Sequence, residues 1–483
     1  MKISTKTKLL VLAGLSTLTV CAAAESPGPV TTDNAAPTGY ASVQPIVAEH
    51  CVSCHRDGTG APFALTDPRD VAKRAPQIVQ VVTSGFMPPW KPDSHGELLD
   101  ENRLSPDQIE TIEHWADAGA SEGGSADLKP VQPAGDLGKP DLVLAAAQPV
   151  DIPADSPGFY QCYILPTHFA SVKYLSAIDF STSTPDAADH VLEYMDDLHQ
   201  VRAMNSVLPG DGFTVSRSTT GLRPSMVIGG WGICTPARRF PPGDGLALTP
   251  GADIILEVHY HGAGKPERDL PKVDLYFCHD AVNRQVRVAP VMANQFRLNT
   301  QHPMNDASAE RPSVANISIL GVLPYMRSHG HEIKLDLLLP DKSKTPLFSI
   351  PAWDFDWIGD YKFKDPVRMP SGSLLIMSAG FGGMQNATLG MNPYRKVTTW
   401  GDTLDDENAV AYIFYTTDDE DLQKRRAKQG IPELGGANDA AMTRIVMKMF
   451  DTNKNGRLDS DELRAMHSVF GRQLPHLSGM DLM

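Results

Sequence analysis

Two short stretches bring metal-ligating side chains together at spacings that select a chemistry. In CVSCH, Cys51 and Cys54 lie three residues apart and His55 follows directly. Both thiols can then add to the vinyl groups of one haem while the adjacent imidazole reaches the iron, so these residues read as a haem c attachment site. A zinc half-site would want a second Cys or His pair, and none lies nearby in this segment. The sixth iron position calls for a soft or nitrogenous ligand. Met87 in GFMPPW is the expected one, its loop stiffened by two prolines, and His95 is its rival. In DTNKNGRLDSDE, Asp451, Asn453, Asn455, Asp459 and Glu462 fill positions one, three, five, nine and twelve of a calcium-binding EF-hand loop. Arg457 offers its carbonyl, and Gly456 stands where the loop turns sharply.

Two histidine pairs are less specific. In DIILEVHYH, Ile254, Leu256, Val258 and Tyr260 share one strand face, and Glu257, His259 and His261 share the other. Such a pair of imidazoles can chelate a transition metal or simply decorate a surface. In YMRSHGHEI, His329 and His331 are either half a metal site or polar residues of a turn. They share the strand parity of the inward-facing Ile333, Leu335 and Leu337, with Gly330 interrupting the run.

The elements that must carry these residues follow from composition and patterning. A chain of 483 residues is expected to form three or four domains. With 43 Lys and Arg against 58 Asp and Glu the net charge is −15, and no basic stripe interrupts it, which argues against nucleic acid as a partner. Residues 1–24 read as a cleaved export signal: lysines, an apolar run, then small residues. Cys21 raises a lipoprotein alternative, against which Val20 stands. No other stretch is apolar enough to span a bilayer, so a soluble periplasmic or extracellular bacterial protein is expected. In that setting Cys162, Cys234 and Cys278 are expected to give one disulfide and one leftover thiol.

In LSPDQIETIEHWADAGA, Ser105 is a helix N-cap, Pro106 the first helical residue and Gln108 the partner in a capping box. Ile109, Ile112 and Trp115 mark the buried face of that helix, which closes a small all-α cytochrome domain over residues 40–125. After the linker LKPVQPAGDLGKP, short apolar segments alternate with turn residues to about residue 418, an all-β pattern. The last unit, 437–475, is the EF-hand with Ile445, Met449 and Phe450 before its loop and Leu463, Met466 and Phe470 after it.

Taken together, LEVHYHGAGKPERD, FYQCYILP, WDFDWIGDYKFKDPVRMPSGSLL and TTWGDTLDDE resemble a bacterial branch of the copper type II, ascorbate-dependent monooxygenases. Peptidylglycine α-hydroxylating monooxygenase and dopamine β-monooxygenase are familiar members, and the branch often carries an N-terminal cytochrome with MPPW. The resemblance covers roughly residues 40–418. It implies two jelly-roll-like β-sandwiches, 140–290 and 291–418, facing each other across an open cleft with one copper each. One copper relays electrons; the other binds dioxygen and hydroxylates a C–H bond of a small substrate.

The family's electron-relay copper uses an adjacent His-His pair and the histidine of a VHY strand. The strand histidine matches His259, and the pair falls on Asp189 and His190 of ADHVLEY. Asp189, His190 and His259, with His261 able to complete them, make a harder donor set suited to Cu(II). The oxygen-binding copper's His-x-His falls on Tyr325 and Arg327, and its methionine on Asn408. All three ligands are lost, since a guanidinium has no lone pair to offer a cation. His329 and His331 with Met384 or Met391 would form a displaced set. Two functions follow. One is an exported haem- and copper-dependent monooxygenase-like enzyme, with electrons from ascorbate or a redox protein passing through the cytochrome. The other is a non-catalytic electron-transfer or binding protein with a degenerate oxygen site.

Overall fold

The computed structural model describes residues 39–122, 137–205, 212–215, 226–233, 235–299, 304–382, 397–401 and 406–424. The export signal, Cys21, Cys234, Met384, Met391 and the whole EF-hand segment lie outside the described residues.

Four helices form the first unit: α1 Tyr40–His50, α2 Pro68–Lys73, α3 Ala75–Thr83 and α4 Pro106–Asp117. The capping box at α4 forms as its sequence requires: Ser105 accepts from the Gln108 backbone N–H, and the Gln108 side chain accepts from the Ser105 N–H. Ile112 and Trp115 are buried, Ile109 packs beside them, and with Tyr40, Val43, Val47, Val71 and Ile78 they make a core separate from the rest of the chain. Between α3 and α4 the segment around residues 90–100 leaves this unit and lies on the β region. Asp93 N–H donates to the Ser349 carbonyl (2.9 Å), Leu99 N–H to that of Lys362 (2.7 Å) and Lys364 N–H to that of Glu97 (2.9 Å). Leu98 is buried in the β core, and Trp90 meets the Tyr361 ring edge-on at 5.6 Å.

The β region is a set of stacked, mostly antiparallel sheets, so the chain is mostly β-sandwich with few helices. One five-stranded sheet runs in the order Gly212–Val215, Phe159–Pro166, Asp253–Tyr260, Ala188–Asp196, Met226–Gly232. Every residue of Asp253–Tyr260 and Ala188–Asp196 is buried, so the polar face expected for the strand of His259 is covered and is no surface. A four-stranded sheet, Met304–Pro312, Leu374–Gly382, Gly330–Leu338, Lys344–Ile350, serves the C-terminal half.

A nine-stranded sheet passes through both halves, and its splice is the strand Arg284–Met292. That strand pairs in parallel with Asp244–Leu248 and antiparallel with Ala409–Thr417. The division expected at 290/291 therefore falls inside a strand, and one hydrophobic core spans both halves. Close approach of the sheets depends on two glycines of Met226–Gly232. A Cβ at Gly230 would fall 2.6 Å from Leu323 Cδ1, and one at Gly229 would collide with the Glu193 carboxylate.

Candidate metal centre

Three strands set the centre in register. His259 lies directly opposite Tyr160 on one neighbour and His190 on the other, so the three side chains form a row across one sheet face. A β-bulge then brings in Asp189. Tyr260 pairs with Ala188, which leaves Asp189 as the extra residue. In a regular strand Asp189 and His190 would point to opposite faces; the bulge re-aims the aspartate so that both stand beside His259.

The geometry is tight and buried. The His190 and His259 rings stack at 5.0 Å and 17°. Asp189 Oδ2 hydrogen-bonds His259 Nδ1 (2.6 Å), and Oδ1 forms a close ion pair with His261 Nδ1 (2.7 Å). Phe355 closes the site edge-on to His190 (5.0 Å) and His259 (5.4 Å). Asp189, His190 and His259 are 5%, 0% and 8% exposed, whereas His261 lies at the strand's end with its ring 39% exposed. Burial pushes the Asp189 carboxyl up, but the hydrogen bonds and charge of His259 and His261 outweigh it and hold it well below the usual carboxylate range. Burial holds the His190 imidazole strongly neutral, with the His259 charge acting the same way. Asp189 in turn raises His261.

Among the described residues these are the only three His, Cys, Asp or Glu side chains grouped to hold a metal, with one ligand atom of each within 4.8 Å of the others. A buried Asp/His/His group could hold a metal ion. The donor chemistry fits. His190 Nδ1 is buried with no hydrogen-bond partner among the described residues, so it is open to a cation.

The second histidine pair is arranged otherwise. His329 sits in the turn before Gly330–Leu338, and the register slips between Gly330 and Glu332. The shared parity expected of His329 and His331 is thus broken by a bulge in which His331 is the extra residue. His329 N–H (2.8 Å) and Nδ1 (2.9 Å) both meet Glu407 Oε1, and Arg327 N–H donates to Oε2 at 3.2 Å. His331 is half-buried and spends its carbonyl on Trp353 N–H. Tyr325 and Arg327 are buried, and Asn408 is half-buried. Nor is there an open cleft at this point. Tyr160 Oη from one half and Tyr325 Oη from the other are 2.9 Å apart.

At the CVSCH turn, His55 Nδ1 lies 3.0 Å from the Phe63 carbonyl, and its ring packs against Phe63 at 4.8 Å. Donation from Nδ1 leaves Nε2 as the ring's acceptor, the form an iron ligand needs, and burial keeps this imidazole more neutral than usual. Cys51 is a free thiol pushed up to about 12 by burial. Cys54 is disulfide-bonded, and a sulfur so engaged cannot also be a thioether. Neither Cys162 nor Cys278 is in a disulfide, which corrects the expectation of a bridge among Cys162, Cys234 and Cys278. The strands that carry them place Cys162 in the five-stranded sheet and Cys278 at the end of a strand in the nine-stranded sheet, with no bond between them. Met87 is half-buried with its N–H on the Val81 carbonyl, while the His95 ring is 80% exposed.

Sequence reasoning passed over Tyr160, Phe355 and Glu407. FYQCYILP enters the sequence reading only through the resemblance, and cross-strand register reveals that its first tyrosine faces a histidine.

No protein-family model and no curated protein matches the chain. Among solved structures it is similar to the VP2 subviral particle of infectious bursal disease virus, with 11% identity, 67% of this chain and 91% of that one covered, and a TM-score of 0.13. It is also similar to pumpkin seed globulin, with 8% identity, 68% and 95% covered, and a TM-score of 0.12. Scores this low carry no weight for fold or function.

Proposed function

We propose that this chain is an exported redox protein with one copper, held by Asp189, His190 and His259 and supplied with electrons by a haem on Cys51, Cys54 and His55. The observation that carries the reading is the unspent Nδ1 of buried His190 beside an imidazole and an ionised carboxylate. A mixed nitrogen and oxygen set of this kind suits Cu(II), and copper there would supply one-electron chemistry. The chain's own residues do the rest. Asp189 orients His259 and His261, Phe355 excludes water, and His55 keeps its Nε2 available through Phe63. Met87 is the sixth haem ligand in this reading. Haem attachment requires the Cys54 disulfide first to be reduced by an external dithiol, which is itself oxidised to a disulfide, since both motif thiols must be free to add. The EF-hand of Asp451, Asn453, Asn455, Arg457, Asp459 and Glu462 is proposed to bind calcium.

An electron-transfer role accords better with the second half than hydroxylation does. Tyr325 and Arg327 occupy the positions where the resemblance wants ligands, and His329 is committed to Glu407. The test is to express the chain with cytochrome-maturation machinery, load it with Cu(II) and add ascorbate. One covalent haem per chain and one copper spin that disappears on reduction are expected. Two coppers with dioxygen consumption would restore the monooxygenase; no copper spin would remove the centre altogether.

A further inference from the structure

The His190 imidazole has two nitrogens in contrasting surroundings. Nδ1 is buried and unpartnered among the described residues, while Nε2 lies 3.4 Å from Tyr160 Oη. Tyr160 Oη is in turn 2.9 Å from Tyr325 Oη, which the Arg327 guanidinium also hydrogen-bonds. All four side chains are buried. If Nδ1 holds a metal, the ring's single proton must sit on Nε2, and Tyr160 Oη is the acceptor within reach. The phenol then passes its own O–H to Tyr325. In the opposite polarity Tyr160 would donate to Nε2, the ring proton would sit on Nδ1, and that nitrogen could not hold a cation.

We infer that Tyr160 is a positioning residue for the metal centre: it fixes His190 as the Nδ1-ligating tautomer, and Tyr325 anchors it from the other half of the molecule. The inference rests on the proposed copper at Asp189, His190 and His259. It gives Tyr325 a use. At a position where the resemblance expects a ligand to a second copper, this chain has a phenol that serves the first. It also means that the two halves must stay closed at this point for the centre to keep its geometry. Outer partners of metal-bound imidazoles raise ligand basicity and hold ring orientation, and their loss weakens binding by roughly 10- to 100-fold.

Tyr160→Phe keeps the ring against His259, 4.7 Å between centroids, and removes only the hydroxyl. Copper affinity of the full chain, measured by chelator competition, should fall at least ~10-fold. Electron spin-echo modulation from the remote His190 nitrogen, with the copper-free haem signal subtracted, should change with it. Tyr325→Phe should shift both in the same direction by less, because Tyr160 still accepts from His190. Thermal stability reports any purely structural loss separately. Tyr160→Phe with wild-type affinity and an unchanged remote-nitrogen signal, while His259→Ala loses copper, would overturn the inference and leave the copper reading standing. A wild-type chain that binds no copper would overturn both.

Discussion

His259 and His329 are both buried imidazoles whose Nδ1 meets a carboxylate, Asp189 at 2.6 Å and Glu407 at 2.9 Å. What the two places leave unspent differs. Glu407 is fully buried and accepts two backbone N–H groups besides the ring, so it pins the turn between Ile317–Met326 and Gly330–Leu338. Its partners are backbone, and the arrangement is a staple. Asp189 takes no part in such a turn; it stands in a bulge with imidazoles on both oxygens and a third ring, His190, whose Nδ1 has no partner among the described residues. A histidine beside a carboxylate is therefore not informative by itself. The distinguishing feature is a buried donor left over, with no partner among the described residues.

The comparison breaks if the two carboxylates can be exchanged in role. Glu407→Ala should be the largest stability effect, roughly 3 kcal/mol by chemical denaturation of the full chain, because it strands buried N–H donors. Copper binding should persist in that variant. Asp189→Ala should do the reverse, losing copper while costing less stability. If Glu407→Ala releases copper and Asp189→Ala does not, the assignments of site and staple are interchanged.

A third buried carboxylate sharpens the contrast. Glu193 shares the strand of His190 but has no imidazole, and burial, with Asp179 nearby, pushes its carboxyl from 4.5 up to about 8. The folded value lies above the unfolded one, so the neutral acid is the stable form. Its contribution is complete below about pH 4.5 and is lost as pH rises through about 8. Between those limits the wild type should lose stability relative to Glu193→Gln, an effect of the same order as that of Glu407→Ala. Melting curves of the two proteins that run parallel from pH 5 to 8 would show that Glu193 is ionised when folded.

Local signals in the sequence were read well where one element contains the whole argument. The capping box of Ser105 and Gln108 and the buried pair Ile112 and Trp115 need only helical spacing. The metal group needed more. Strand parity separates Asp189 from His190, and a bulge that no spacing rule announces reunites them. The resemblance named this trio correctly as neighbours, although parity alone would have divided it. For His329 and His331 parity failed in the other direction, since the bulge at His331 lies inside the very run being counted. The joining of the two halves through Arg284–Met292 was illegible for a general reason: sheet order is a long-range property, and a strand that pairs with both halves reads like any other apolar segment.

The most direct test is an anomalous difference map, collected at the copper edge, from crystals of the copper-loaded chain. One peak among Asp189, His190 and His259, and none beside His329 and His331, is the predicted result. A peak at His329 and His331, or no peak at the Asp189 bulge, would contradict the account.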